Sequence, residues 1–335
     1  MNSLPSPSLY SLNCGRRLAF QEIGARESPQ VLLCLPGLLE TSASFESLLV
    51  AATHAPGLRV IAIDHCGRGN SDALPMDSGY AMAIYLADIE EFIARQIFQT
   101  IGLQPKLDVL GTSMGGILAM YLASNPRNNL NGIFLNDIGL SLTWMSILGL
   151  YKSTQVSGRS PEPKDLATKL GVTEGAVRDV QSPHHFDLPH QKDWKGMNFA
   201  NTLSNFAGPV RLIYGSQSGV CLDDQVQQFI ESYPKANVLR VEGASHPVPF
   251  TENVCEFVLS SLKLPKIGQK TSDSTDEEKP SRLDQDQDQD QDQTQIQVQE
   301  QLEINLNTQT THPSDSLPAQ PVKSWFRRIK SWFSR

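Results

Sequence analysis

Six short apolar runs punctuate the first 265 residues, and most are separated by stretches of helical length. The runs are VLLCL (31–35), RVIAID (59–64), LDVLG (107–111), NGIFLND (131–137), VRLIYG (210–215) and NVLRVEG (237–243). The helix-like stretches are 42–54, 80–100, 114–124, 222–233 and 251–262. This alternation predicts parallel β-α-β units with right-handed crossovers. Near-continuous hydrophobicity within each run predicts strands covered by helices on both faces. Within 80–100, Ile84, Ala87, Ile89, Phe92 and Ile93 trace a helical stripe expected to face the sheet.

The rhythm fails between 139 and 208, where helix is expected near 164–180 and no strand stands out. That segment reads as an insertion between two late strands. Ligands of such sheets bind beyond the carboxyl ends of the strands, so an insertion there is expected to form a lid. Its apolar residues Trp144, Met145, Leu148, Trp194 and Phe199 suit either an acyl or aromatic ligand or packing of the lid on its own core.

Composition changes sharply near residue 266. Residues 1–265 read as one folded domain. Residues 266–321 carry 12 Asp/Glu against 4 Lys/Arg and include the dipeptide repeat DQDQDQDQDQ at 284–293. Such a segment cannot bury enough apolar surface to offset its ordering, and a disordered linker is expected. Residues 322–335 carry five Lys/Arg and no acid. There Trp325, Phe326, Ile329, Trp332 and Phe333 fall on one face of a helix, with basic residues around them. A basic amphipathic segment of this kind is expected to contact an anionic membrane surface.

Five cysteines at wide spacing, with no C-x-x-C, fit reduced thiols rather than a disulfide framework or a zinc site. The residues MNSLPSPSLYSLNCGRR contain no apolar signal core, and no run of 18 apolar residues occurs. The expectation is a cytoplasmic protein, peripheral to a membrane at most. Its net charge is −8, and no nucleic-acid partner is expected.

The stretch VLGTSMGGI (109–117) carries the chemistry. Glycines on both sides of Ser113 permit a sharp strand-to-helix turn that lifts its hydroxyl above the sheet, near a helix N-terminus. A serine nucleophile needs a base, and the base needs an orienting acid. His246, in VEGASHPVPF, follows the last strand and precedes the last helix. His65 lies upstream of the serine, and His184, His185 and His190 lie in the insertion. No ligand spacing around them argues for a metal, and no cofactor is expected. Ser218 occupies the slot after the next-to-last strand where an acid is often found, and it cannot supply a charge. Asp137, ending its strand just after the nucleophile helix, is the better candidate, with the later Asp223 or Asp224 as alternatives. The oxyanion donors are expected to be the backbone amides of Leu38, in LPGLLETSASF, and Met114.

Over roughly 9–262 the chain resembles the α/β-hydrolase fold family, through LPGLLETSASF, IDHCGRGNSD, LGTSMGGILAMYLASNP, LNDIG and SHPVPF. GRGNSD, GTSMGG and LNDIG together are similar to a bacterial branch of serine hydrolases in which the late-strand acid is often replaced. The resemblance implies hydrolysis of an ester or related acyl bond by Ser113, His246 and Asp137, with a small acyl compound as substrate. Pro36 stands where the family often has His, Ser245 where it often has Gly, and Leu140 where Pro often follows LNDIG. Acyl transfer or C–C bond hydrolysis by the same three residues is an alternative. A non-catalytic binding module tethered by its tail is another.

Overall fold

A computed structural model describes residues 4–75, 79–99, 104–153, 163–170, 172–174, 191–193, 196–262 and 264. The acidic linker 266–321, the basic segment 322–335, Trp194 and the insertion histidines lie outside them. The strands in chain order are β1 (Ser8–Ser11), β2 (Arg17–Ile23), β3 (Gln30–Leu35), β4 (Leu58–Ile63), β5 (Lys106–Thr112) and β6 (Leu130–Asn136). They continue as β7 (Ser141–Thr143), β8 (Gln191–Asp193), β9 (Gly196–Asn198), β10 (Val210–Gly215) and β11 (Val238–Val241). The helices are α1 (Glu46–Ala52), α2 (Met82–Phe92), α3 (Met114–Ser124), α4 (Trp144–Ser153), α5 (Pro163–Leu170), α6 (Asp223–Ser232) and α7 (Glu252–Ser261).

Among the described residues, eight strands form one sheet in the order β1-β2-β4-β3-β5-β6-β10-β11. The six from β4 to β11 pair in parallel, while β1–β2 and β2–β4 are antiparallel. This is an α/β-hydrolase fold. Strand side chains alternate between two cores, as the two-residue repeat requires. Val31, Leu33 and Leu35 of β3 face one core with Ile61, Val109 and Ile133. Leu32 and Cys34 face the other with Val60, Leu110 and Phe134. Helices α2, α3 and α6 cover the first face, and α1 with α7 covers the second. Both faces are therefore dry, which explains the unbroken hydrophobic runs.

Three expectations need correction. The antiparallel strands β1, at the sheet edge, and β2, beside it, are not among the six runs, because exposed and half-buried residues interrupt the apolar signal. The insertion does contain strand: β7, β9 and β8 form a small antiparallel sheet of three-residue segments, too short to show a periodicity. On α2, Ala87 points to solvent and Asp88 points inward. The buried acid is held by the Arg16 guanidinium through bonds of 2.7 and 2.6 Å.

Parallel pairing aligns the carboxyl ends of β3, β5, β6, β10 and β11 along one edge. Five candidate segments meet there, and β5 lies between β3 and β6. The turn after β5 is possible only because of its glycines. A Cβ on Gly115 would lie 2.1 Å from the Leu35 carbonyl oxygen and 2.8 Å from that of Pro36. Gly115→Ala should therefore lower stability by about 1–3 kcal/mol through overpacking. Urea unfolding checks this, and an unchanged midpoint would contradict the close approach.

Candidate active site

Ser113 forms the turn between β5 and α3. Its φ of 51° and ψ of −112° lie outside the comfortable regions for a side-chain-bearing residue. The turn is held by Ser113 N–H donating to the Asn136 carbonyl at 2.9 Å. Ser113 is half-buried, at the edge where the strands end.

Asp137 immediately follows β6 and also has a positive φ, of 58°. Its N–H donates to the Ile213 carbonyl at 2.7 Å, which fixes the strained backbone against β10. The side chain is fully buried. Oδ2 lies 2.8 Å from His246 Nδ1, whose side chain is 15% exposed. A buried carboxylate needs its lone pairs filled. The Ser218 hydroxyl donates to Oδ2 at 2.9 Å, and the Gly215 N–H donates to Oδ1 at 3.1 Å. Ser218 Oγ in turn accepts the amides of Val220 and Cys221 at 3.1 and 3.0 Å. The serine at the late-strand slot thus holds the acid arriving from β6. Asp223 and Asp224 sit in the first turn of α6, where Asp224 accepts the Gln225 amide at 2.9 Å.

Asn136 joins three of these segments and was not singled out by the sequence. It precedes Asp137, and its side-chain amide donates to Thr112 Oγ1 at 3.2 Å and to the Val248 carbonyl at 3.0 Å. Thr112 precedes Ser113 and Val248 lies two residues after His246, so one buried amide spans all three. Only its position before Asp137 in LNDIG hinted at this.

The loop after β3 runs beside the N-terminus of α3. The amides of Leu38 and Met114 have no hydrogen-bond partner among the described residues. Glu40 accepts the Gly37 N–H at 2.8 Å and the Ser44 hydroxyl at 3.1 Å. Burial raises its carboxyl pKa, while those two donors and nearby His246 act against the rise. His65 lies beneath the loop, with Nε2 3.3 Å from the Pro36 carbonyl. Burial, and then the Arg68 charge, push its pKa down to about 3, so the neutral ring donates Nε2–H to that carbonyl.

The apolar residues of the insertion divide. Phe199 is buried and packs edge-on against Tyr121 at 6.3 Å, so it belongs to the core under the insertion. Trp144 is partly buried against the same core, and Met145 is 71% exposed. The side chain of Leu148 lies outside the described residues.

The chain matches the model of the alpha/beta hydrolase fold family over residues 30–156. It is 28% identical over 277 residues to a 3-hydroxybutyrate-oligomer hydrolase of Cupriavidus necator, covering 75% of this chain and 86% of that one. It is 23% identical over 257 residues to an sn-1-specific diacylglycerol lipase of Danio rerio, covering 68% and 78%. An alpha/beta hydrolase from Novosphingobium aromaticivorans shares the fold with a TM-score of 0.58 at 19% identity, over 76% of this chain and 96% of that one. The chain has the α/β-hydrolase fold, and the family and relatives it resembles support its being a hydrolase.

The depressed His65 pKa has a consequence for stability. The unfolded chain, with the histidine near 6.5, takes up the proton before the native state does. This contribution is complete above about pH 6.5 and is lost as pH falls toward 3. His65→Gln should therefore lose less stability than the parent between about pH 7 and pH 4.5. Urea midpoints at both pH values test this, and an equal loss in the two proteins would contradict it.

Proposed function

We propose that this hydrolase is a serine esterase acting through Ser113, His246 and Asp137. The observation that carries the reading is the 2.8 Å contact between His246 Nδ1 and the buried Asp137, at the strand edge that also bears Ser113. That pairing provides the acid that the late strand lacks and argues against a non-catalytic binding module.

His246 takes the Ser113 proton through Nε2 as Oγ attacks the substrate carbonyl. The amides of Leu38 and Met114 bind the developing oxyanion. His246 then protonates the leaving alcohol, and an acyl-enzyme remains. Water, deprotonated by His246, attacks the acyl carbon and releases the acid and Ser113. Asp137 holds the imidazole so that Nδ1 keeps its proton and Nε2 faces the serine, and it stabilises the imidazolium once formed. Ser218 and the Gly215 amide keep the carboxylate aimed at the ring.

The substrate class we propose is a short aliphatic hydroxyacyl ester. The Cupriavidus necator relative, a 3-hydroxybutyrate-oligomer hydrolase, supports that choice. With a 3-hydroxybutyrate dimer or a p-nitrophenyl butyrate reporter, Ser113→Ala should abolish turnover. Asp137→Asn should cut kcat by about 10³–10⁴-fold, because the imidazole tautomer is no longer fixed. Steady-state rates and circular dichroism on folded variants test this, and substantial turnover by Ser113→Ala would refute the mechanism.

The basic segment 322–335 supplies the proposed location, at an anionic membrane face. Its aromatic stripe suits the headgroup region, and its five cations suit anionic lipid. Co-sedimentation with phosphatidylglycerol-containing vesicles should fall when 322–335 is deleted and should weaken in high salt. Equal binding by both proteins would rule the anchor out.

A further inference from the structure

The oxyanion loop is pinned peptide by peptide, and the last pin is an arginine. Pro36 C=O faces His65, and Gly37 N–H is taken by Glu40 Oε2 at 2.8 Å. Gly37 C=O accepts the Glu40 N–H at 3.2 Å. Leu38 C=O accepts two bonds from Arg68, at 3.1 Å from Nε and 2.8 Å from Nη2. In a trans peptide the N–H points opposite to the C=O. With the Gly37 carbonyl turned into the loop, the Leu38 N–H points out of it. The Arg68 fork then fixes the far side of the same residue.

Arg68 is unusual in its surroundings. It is fully buried, and no carboxylate pairs with it among the described residues. Its remaining bonds go to the Cys66 carbonyl at 3.0 Å and to Tyr85 Oη at 2.6 Å. The rings of Tyr80 and Tyr85 lie 5.5 and 5.0 Å from the guanidinium carbon. Burying a charge without a counter-charge is costly. Carbonyls and aromatic faces offset that cost here, and two of the bonds converge on one carbonyl of the oxyanion loop. The Arg68 backbone also bridges Val172 of the insertion, and Gly67 C=O accepts Thr173 N–H at 2.8 Å. The same residue therefore ties the insertion to the loop.

We infer that Arg68 is a positioning residue for the oxyanion hole: its fork on the Leu38 carbonyl holds the Leu38 amide in the direction that a tetrahedral oxyanion requires. This rests on the serine-esterase reading. Arg68 touches no reacting atom, so its removal should weaken binding of the tetrahedral species much more than binding of the ground state.

The test uses the full chain, an aliphatic trifluoromethyl ketone and the matching trifluoromethyl carbinol. Ser113 Oγ adds to the ketone carbon, its proton passes to His246, and the resulting hemiketal oxyanion occupies the hole. The carbinol binds without reacting. In Arg68→Met, the ketone Ki should rise about 10–100-fold and the ester kcat should fall similarly, while KM and the carbinol Kd change little. Arg68→Lys keeps the charge but loses the fork, and should show a smaller loss in the same direction. A folded variant with the parental ketone-to-carbinol ratio would overturn the inference, as would failure of both variants to fold. A parent protein that neither hydrolyses esters nor binds the ketone would instead refute the esterase reading itself.

Discussion

The close contact between the first turn of α3 and the carbonyls of Leu35 and Pro36 underlies the whole site. It exists because residue 115 has no side chain: a Cβ there would lie 2.1 Å from the Leu35 oxygen. That contact brings the Met114 amide alongside the loop carrying the Leu38 amide. At Ser113, two residues earlier, the chain takes a backbone conformation that is costly for serine. The cost, of order 1–3 kcal/mol for such a residue, is sustained by bonds on either side. Ser113 N–H reaches the Asn136 carbonyl, and α3 continues with its own hydrogen bonds.

The same economy governs the acid. Asp137 bears a strained backbone and a buried carboxylate, yet every nearby contact suits it. Its amide is bonded to β10, and its two oxygens take donors from His246, Ser218 and Gly215. The acid comes from the strand next to the nucleophile, and a hydroxyl completes its coordination from the strand beyond. Parallel register makes this exchange possible, because β6 and β10 end side by side at the same edge.

Much of this architecture was legible in the sequence because the central strands are dry on both faces. Their runs stand out for that reason, and β3, β5, β6 and β10 fall close to where the apolar residues indicate. The edge strand β1 and its neighbour β2 were not legible, since β1 is largely exposed and the end of β2 is only half-buried. Phase within α2 misled at Ala87, because the helix buries an acid, Asp88, whose ion-pair partner Arg16 lies 72 positions away. Ser113, Asp137 and His246 could be named from type and order alone. The roles of Ser218, Asn136 and Arg68 could not, because each works through a long-range bond to a backbone carbonyl or to another polar side chain.

The whole mechanism requires Ser113 to be an activated nucleophile. Intact-mass and peptide mass spectrometry after treatment with a fluorophosphonate measures this most directly. One phosphonyl adduct per chain, mapped to Ser113, is expected. An unmodified yet folded protein, or an adduct confined to another residue, would contradict it.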